Sequence, residues 1–208
     1  MLNPFAAPDT AAASWFHAHL TQPVLTILRA LSEPGSGLWI GIVLSFVVLF
    51  FIWKRNWISL GVLIAAVPGG MLLNELLKVL VQRPRPFLTG PFVDWSGYSF
   101  ASGHTIGATL LYGQLLALTL PLIKARHWRA VAICLTLLLI SLVGFSRIAL
   151  GAHYLSDVLA AMFLGLVWLA LCLIGGSRIR RRSIAYGVQR SPVLLPAEQT
   201  AGESTPLV

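Results

Sequence analysis

Residues 36–53 read SGLWIGIVLSFVVLFFIW, a run without a single charged side chain. A helix needs roughly 20 such residues to cross the hydrocarbon core of a bilayer, which is ~30 Å thick. Further stretches of similar apolar character follow at residues 57–81, 105–123, 128–150 and 154–175. Because 57% of the residues are hydrophobic and only 11% are charged, the sequence predicts an all-α fold. We expect a polytopic transmembrane helical bundle with about five spanning helices.

The segment before residue 36 has a different pattern. Between residues 13 and 32, polar residues such as His17, Gln22 and Arg29 interrupt the apolar ones and leave a single apolar face. This pattern is typical of a helix that lies in the membrane interface. We therefore predict an N-terminal segment at residues 1–35 with one interfacial amphipathic helix, and the spanning bundle at residues 36–176. A basic, disordered cytoplasmic tail is expected at residues 177–208.

The basic residues indicate which ends of the spans face the cytoplasm. Most of the 15 lysines and arginines fall in connections that alternate spans bring to one face, and the positive-inside rule makes that face cytoplasmic. We therefore expect a protein of the plasma (inner) membrane with its C-terminal tail in the cytoplasm. The net charge of +8 follows from this topology and predicts no nucleic-acid partner. The basic residues of the opposite face are Arg29, Lys78, Arg83, Arg85 and Arg147.

Polar residues cluster at the extracytoplasmic ends of the spans. Ionisable groups at such positions are costly unless they face a polar site. Lysine and arginine cations are suited to binding phosphate oxygens. We therefore predict a phosphate-handling active site on the extracytoplasmic face. In chain order the residues are Lys78, Arg85, Ser102, Gly103, His104, Ser146, Arg147, His153 and Asp157.

The histidine and the aspartate of this cluster suggest a chemical role. His153 and Asp157 are four residues apart, so one helix would place them on the same face. A carboxylate that accepts the Nδ1 proton of an imidazole leaves Nε2 as a directed nucleophile or base. The alternative is that Asp157 caps the helix and His153 is only an interfacial residue. Similarly, Ser102 either helps present helix N-terminal amides to an anion or acts as an N-cap alone.

Three neighbouring residues have simpler interpretations. Arg83 is expected to extend its charged head to the membrane interface. Glu75 precedes Lys78 by one helical turn, so we expect these two side chains to form an ion pair. Asn74 is expected to satisfy polar groups inside the bundle.

The spacing of the polar residues resembles the three-part signature of the type 2 phosphatidic acid phosphatase superfamily. Six residues separate Lys78 from Arg85-Pro86, Ser102-Gly103-His104 forms the second part, and the third part runs from Ser146-Arg147 through His153 to Asp157. The resemblance covers roughly residues 20–175. In two respects the chain departs from the family pattern: Ala101 stands where the family usually has proline, and membrane members commonly have six spans.

The resemblance implies a role for each matched residue. His153 would attack phosphorus to give a phosphohistidine, and Asp157 would orient it. His104 would protonate the leaving oxygen and then activate the hydrolytic water. No metal and no cofactor would be required. The phosphoryl oxygens would be held by Lys78, Arg85, Ser102, the Gly103 amide and Arg147.

The sequence therefore predicts a metal-independent lipid phosphatase that removes the terminal phosphate of a lipid phosphate or diphosphate. Resemblance to compact bacterial members favours undecaprenyl diphosphate as the substrate. Phosphatidic acid and phosphatidylglycerol phosphate are alternative substrates. Transfer of the phosphate to another acceptor and non-catalytic lipid binding are alternative functions. The expected partners are the membrane and the substrate lipid, and a homo-oligomer is possible.

Overall fold

The computed structural model describes residues 6–87 and 96–189. Within these residues the regular structure is helical, with no strand, and two short 3-10 turns lie at Glu33–Gly35 and Leu120–Leu122. The helices are α1 (Ala6–His19), α2 (Gln22–Ser32), α3 (Gly37–Trp53), α4 (Trp57–Val81), α5 (Gly103–Thr119), α6 (Arg126–Ala149) and α7 (Leu155–Gln189).

Five helical stretches are long and apolar enough to cross a membrane. The first combines α2 and α3, which are joined by the turn at Glu33–Gly35. The all-α fold and the number of spans predicted from the sequence are thus confirmed. The stretches are Gln22–Trp53, Trp57–Val81, Gly103–Leu122, Arg126–Ala149 and Leu155–Ser183.

Helix α5 forms the centre of the bundle and contacts α3, α4, α6 and α7. Its side chains Ile106, Leu110 and Leu111 are fully buried. Lipid tails are as apolar as leucine, so the helices of a membrane bundle associate through close packing and small residues. Gly165 of α7 gives such an approach, because a Cβ atom there would lie 3.0 Å from Cγ2 of Thr109. The central position of α5 brings its N-terminus to the same end of the bundle as the ends of α4 and α6.

The N-terminal segment folds as two helices instead of the single interfacial helix expected over residues 13–32. Helix α1 ends at His19 and α2 begins at Gln22 with Pro23 in its first turn, where the missing N–H of proline costs no helical hydrogen bond. Helix α2 packs Leu25 and Leu28 against the end of α6, and α1 contacts both α6 and α7. The N-terminal helices are therefore packed onto the bundle at the end that carries the polar cluster.

Helix α7 continues beyond the end expected from hydropathy. Residues 177–189, which the composition assigned to a disordered tail, are helical. Arginine is a good helix former, and the first proline after the apolar span is Pro192, so nothing stops the helix at residue 177. Residues 190–208 of the predicted tail lie outside the part of the chain that the structure describes.

Candidate active site

A cavity of about 430 Å³ lies at the end of the bundle where α4 and α6 end and α5 and α7 begin. A cavity of this size is within the range of small-molecule sites, which is about 300–1,000 Å³. It is lined by six of the nine residues that the sequence predicted for the site, the exceptions being Ser102, Ser146 and Asp157. The basic and histidine side chains that line it are Arg29, Lys78, Arg85, Arg147, His104 and His153.

The short connection between α6 and α7 carries His153 into the cavity. Gly151 follows the end of α6 with a φ of 69°, a left-handed conformation that glycine adopts without strain. The N–H of His153 then donates to the carbonyl of Arg147 at 3.2 Å. The turn therefore fixes the position of the His153 backbone relative to the last turn of α6.

The protonation state of the His153 ring is set by Ser99. Nδ1 of His153 lies 2.7 Å from the carbonyl oxygen of Ser99. Because a carbonyl oxygen can only accept, Nδ1 carries the proton and Nε2 of the neutral ring keeps its lone pair. Burial, aided by the charges of Arg147 and Arg85, holds the pKa of His153 well below its usual range. His153 is therefore a neutral imidazole with a free Nε2.

Asp157 does not form the direct hydrogen bond to His153 that the sequence led us to expect. Its Oδ2 lies 4.0 Å from Nδ1 of His153, which is too long for a hydrogen bond. Oδ2 instead accepts from the hydroxyl of Ser99 at 2.5 Å and from the N–H of Tyr154 at 3.0 Å. Asp157 therefore caps the first turn of α7, and its hydrogen-bonded connection to the histidine runs through Ser99. No sequence signal marks Ser99, because its contact with the ring uses a backbone carbonyl.

Arg83 is largely buried, so the expectation that it extends to the membrane interface is wrong. Its Nη1 donates to Oδ1 of Asp157 at 2.5 Å and to Oγ of Ser156 at 2.7 Å. Its Nη2 donates to Oδ2 of Asp9 at 2.7 Å, and the guanidinium lies over the ring of Tyr154 at 4.2 Å. A buried carboxylate such as Asp157 is costly without a charged partner, and Arg83 supplies that partner.

Asp9 of α1 is a further member of this network that the sequence did not reveal. Its side chain is 1% exposed, and it accepts from the N–H of Ser156 at 2.9 Å and from the Ser156 hydroxyl at 2.5 Å. Burial alone would raise the pKa of Asp9, but the hydrogen bonds from Ser156 and the ion pair with Arg83 outweigh it and lower the pKa. Burial would likewise lower the pKa of Arg83, but Asp9 and Asp157 raise it. Both groups are therefore charged.

Arg85 is held by the loop that precedes α5. Its guanidinium donates to the carbonyl oxygens of Ser96 at 2.8 Å, Gly97 at 3.0 Å and Ala152 at 3.1 Å. Burial lowers the pKa of Arg85 from its ordinary value, against the opposing charges of Asp157 and Glu75, yet an arginine remains protonated. The loop thus fixes a cation at the wall of the cavity.

Lys78 forms the ion pair with Glu75 that the sequence predicted, with Nζ 2.6 Å from Oε1. The ammonium also lies close to Gly103, where an added Cβ atom would be 3.4 Å from Nζ. Asn74 does not act as expected, because neither of its buried amide atoms forms a hydrogen bond with the described residues. Lys78 is therefore positioned between its carboxylate partner and the first residue of α5.

The start of α5 contributes backbone groups to the cavity, and the Ser102 side chain does not line it. Ser102 is fully buried, does not line the cavity, and its hydroxyl accepts from Oγ1 of Thr105 at 3.0 Å. Gly103 and His104 do line the cavity, and the first N–H groups of an α-helix have no intrahelical acceptor. The N-terminus of α5 is therefore suited to an anion, and the Ser102 hydroxyl is hydrogen-bonded to Thr105.

The N-terminal helices supply lining residues that the sequence treated as a separate segment. Arg29, Ser32 and Glu33 line the cavity, and the hydroxyl of Ser32 accepts from Nη1 of Arg147 at 2.9 Å. Glu33 is the single acidic residue among the lining residues described. Within residues 6–87 and 96–189, no three His, Cys, Asp or Glu side chains are grouped as a metal site would require. Among the described charged side chains that line the cavity, four are therefore cations and one is a carboxylate.

Comparison with known proteins identifies the family to which this arrangement belongs. Residues 56–181 match the model of the PAP2 superfamily. This chain belongs to the PAP2 superfamily. The matched residues include the ends of α4 to α7 that surround the cavity, and the resemblance predicted from the sequence is confirmed.

Curated relatives in the PAP2 superfamily are similar over part of their length. The chain is 35% identical over 135 residues to phosphatidylglycerophosphatase B of Bacillus subtilis, which covers 63% of this chain and 64% of that protein. It is 35% identical over 127 residues to the lipid A 1-phosphatase of Rhizobium johnstonii, and the match covers 56% of this chain and 46% of that protein. It is 32% identical over 136 residues to a decaprenylphosphoryl-5-phosphoribose phosphatase of Mycobacterium tuberculosis, and the match covers 62% of this chain and 67% of that protein. The chain thus spans about half to two thirds of these relatives.

Two solved PAP2 structures share the fold. A transmembrane phosphatidylglycerolphosphate phosphatase from Bacillus subtilis superposes with a TM-score of 0.75 at 22% identity, covering 86% of this chain and 89% of that chain. LpxE of Aquifex aeolicus superposes with a TM-score of 0.61 at 22% identity, and the superposition covers 83% of this chain and 99% of that chain. The helical bundle described above is therefore the fold of membrane PAP2 proteins.

Proposed function

We propose that this protein is a lipid phosphatase that removes a terminal phosphate from a membrane lipid phosphate or diphosphate through a phosphohistidine on His153. The observation that carries the proposal is the hydrogen bond from Nδ1 of His153 to the Ser99 carbonyl. It leaves Nε2 with a lone pair in a residue that lines a cation-rich cavity. A nucleophile beside several cations suits phosphoryl transfer, in which catalysis is mainly positioning and charge stabilisation.

In the first step, Nε2 of His153 forms a bond to phosphorus while the bond from phosphorus to the leaving lipid oxygen breaks. His104, whose protonated form is favoured by the negative charge of the bound phosphate, donates its proton to that oxygen, so the lipid leaves as a neutral alcohol or as the shorter phosphate. The three equatorial oxygens carry the developing negative charge, and the cations lining the cavity stabilise it. Lys78, Arg85, Arg147 and the Gly103 amide supply these contacts.

In the second step, water attacks the phosphohistidine and the bond from phosphorus to nitrogen breaks. His104, now neutral, accepts a proton from the water, and inorganic phosphate leaves. Phosphorylation makes the His153 ring more positive, and the charge of Asp157, 4.0 Å from Nδ1, stabilises that form. His153 returns to its neutral tautomer, and no metal enters either step.

The site is proposed to face away from the cytoplasm. The cavity lies at the ends of α4 and α6 and the starts of α5 and α7. The opposite ends of these helices carry Lys124, Arg126 and the arginines at 178–182, and such clusters mark the cytoplasmic side. A lipid head group in the outer leaflet would then reach the cavity without crossing the membrane.

Undecaprenyl diphosphate is the first proposed substrate. The cavity is lined by Arg29, Lys78, Arg85 and Arg147, whose positive charges outnumber the roughly 1.5 to 2 negative charges of a single phosphate monoester at neutral pH. A diphosphate would place its transferred phosphate at His153 and its second phosphate against the remaining cations.

Phosphatidylglycerol phosphate is the second proposed substrate, and a different observation favours it. Glu33 places a carboxylate at the wall of an otherwise cationic cavity, where it can accept hydrogen bonds from the hydroxyl of a glycerol head group. The relative at 35% identity from Bacillus subtilis is named phosphatidylglycerophosphatase B. A diphosphate offers no comparable donor to Glu33.

One assay of phosphate release by purified protein in detergent with EDTA distinguishes between the two proposed substrates. We expect phosphate release from at least one of the two lipids, and its loss in His153→Ala. His127→Ala is a matched control, because His127 lies at the other end of α6. Release from neither of these lipids nor from phosphatidic acid, with binding retained, would contradict a phosphatase and indicate a lipid-binding protein. Appearance of the phosphate on an added acceptor lipid would indicate a phosphotransferase.

A further inference from the structure

A chain of hydrogen bonds and ion pairs connects the nucleophilic ring to the N-terminal helix. Nδ1 of His153 donates to the carbonyl of Ser99, and the hydroxyl of Ser99 donates to Asp157. The other carboxylate oxygen of Asp157 accepts from Arg83, and Arg83 also donates to Asp9 of α1. We propose that Asp9 and Arg83 are positioning residues for His153, so that α1 is part of the catalytic apparatus. This inference rests on the proposed function of His153.

Asp157 depends on Arg83 for its position. The Asp157 side chain is fully buried, and a buried carboxylate without a partner is strongly destabilising. Tyr154 and Ser99 share its Oδ2, whereas the guanidinium of Arg83 is the partner of Oδ1. Losing that ion pair would leave Oδ1 without its partner, and the Asp157 side chain would reorient. That change would disturb the hydroxyl and then the carbonyl of Ser99.

Arg83 in turn depends on Asp9. The two nitrogens of its fork are divided between two carboxylates, with Nη1 on Asp157 and Nη2 on Asp9. A planar guanidinium that donates to two carboxylates is fixed both in position and in the orientation of its plane. A single ion pair does not fix the plane. Without Asp9, the guanidinium could rotate and present both nitrogens to Asp157. The geometry at Asp157 therefore requires both carboxylates.

Asp9 also fixes the start of α7 directly. Its carboxylate accepts from the N–H and from the hydroxyl of Ser156, the residue before Asp157. The N–H groups in the first turn of a helix have no intrahelical acceptor, and a negative charge there is favourable. Asp9 thus binds both Ser156, the backbone neighbour of Asp157, and Arg83, the ion-pair partner of Asp157. Through these two contacts α1 determines where Asp157 lies.

Neither Asp9 nor Arg83 lines the cavity. They cannot contact a phosphate there, so their effect must pass through Asp157, Ser99 and the ring of His153. Positioning of this kind alters the rate of phosphohistidine formation and leaves the affinity for the substrate nearly unchanged. A residue that bound phosphate directly would alter the affinity.

The test compares Asp9→Asn, Arg83→Lys and the double variant with wild type in full-length protein. Asparagine keeps the size of the Asp9 side chain and removes its charge, and lysine keeps the Arg83 charge and removes the fork. We expect each single variant to lower kcat by about 10- to 100-fold, the effect of removing an outer partner of a catalytic group. KM should change little, and the double variant should resemble the worse single variant, because both act through Asp157. Thr10→Ala is the matched control, since the Thr10 hydroxyl bonds only to α1 carbonyls.

A second measurement does not depend on turnover. In 15N NMR of histidine-labelled protein, we expect the Nδ1–H signal of His153 to shift or broaden in Asp9→Asn but not in Thr10→Ala. Wild-type kcat and an unchanged Nδ1–H signal in both single variants would overturn the inference while leaving the phosphatase proposal intact. Absence of activity in the wild type would overturn the proposed function instead, and the NMR result would still decide whether α1 orients the ring.

Discussion

Nδ1 of His153 and the carboxylate of Asp157 lie 4.0 Å apart, and Ser99 bridges the gap between them. Its carbonyl accepts from the imidazole and its hydroxyl donates to the carboxylate. The orientation of the histidine is therefore set by the backbone carbonyl of Ser99, and Asp157 influences that orientation through its hydrogen bond with Ser99. This relationship determines how the site should respond to mutation.

Replacing Ser99 by alanine should lower kcat less than replacing Asp157 does. The carbonyl that orients His153 would remain, but Asp157 would lose the hydrogen bond from the hydroxyl. We expect Ser99→Ala to reduce kcat roughly 10-fold, in the range of an outer partner of a catalytic group, and Asp157→Ala to reduce it further. Both values come from initial rates on one lipid substrate. Equal losses in the two variants would show that the hydroxyl transmits the whole effect of Asp157.

His153 should remain neutral at mildly acidic pH. Burial and the neighbouring arginines depress its pKa, so proton binding to the folded protein is disfavoured and the neutral, nucleophilic form persists below the usual histidine pKa near 6.5. In an NMR titration we expect the His153 ring to stay neutral at pH 6, where a histidine with the ordinary pKa near 6.5 is more than half protonated. Comparison with His153→Gln identifies its signals. Protonation of His153 near pH 6.5 would contradict the burial and charge that surround the ring.

Gly103→Ala should weaken phosphate binding. The added methyl group would lie 3.4 Å from Nζ of Lys78, in the space through which a phosphate oxygen would approach the ammonium. We expect the inhibition constant for vanadate or phosphate to rise about 10-fold, which corresponds to one lost charge-assisted hydrogen bond. Gly41→Ala is the matched control, because a Cβ atom at Gly41 meets nothing within 4 Å. Equal inhibition constants for wild type and Gly103→Ala would place the phosphate elsewhere in the cavity.

Glu33→Gln should change the preference between lipid head groups. If Glu33 accepts a hydrogen bond from a glycerol hydroxyl, neutralising it should lower kcat/KM for phosphatidylglycerol phosphate. Removing a negative charge from a cation-lined cavity should have the opposite effect on a diphosphate, since a carboxylate repels it. We expect the ratio of the two kcat/KM values to shift toward undecaprenyl diphosphate. An unchanged ratio would exclude Glu33 as a determinant of specificity.

The orientation in the membrane can be tested with single cysteines in a variant that lacks Cys134 and Cys172. Tyr98 is exposed and follows Gly97, whose carbonyl binds the cavity residue Arg85, whereas Lys54 follows the far end of α3; the two variants are Tyr98→Cys and Lys54→Cys. We expect an impermeant maleimide to label residue 98 in intact cells and residue 54 only after lysis. The reverse pattern would place the cavity on the cytoplasmic side.

Hydropathy predicted the spans well, because a bilayer imposes the same length of apolar helix wherever a chain crosses it. The end of α7 was harder to predict. Residues 177–189 are polar enough for a tail, yet they contain helix-forming arginines and no proline, and composition alone does not separate a solvated helix from a disordered segment. The division of the N-terminal segment into α1 and α2 was signalled only by Pro23.

The residues that line the cavity were largely predictable, because the ends of successive spans bring Lys78, His104 and His153 to one face. The network behind them was not. Asp9 and Arg83 are far apart in sequence, and their ion pair follows from the packing of α1 against α7. Ser99 acts through its backbone carbonyl, which every residue type possesses.

The central claim is that His153 is the nucleophile, and trapping the intermediate tests it most directly. Protein is mixed with substrate labelled with 32P in the terminal phosphate, and the reaction is stopped in alkali with sodium dodecyl sulfate. We predict label on the wild-type chain and on His127→Ala that is stable to alkali and labile to acid, and none on His153→Ala. Label that persists on His153→Ala, or phosphate release that continues in that variant, would contradict the account.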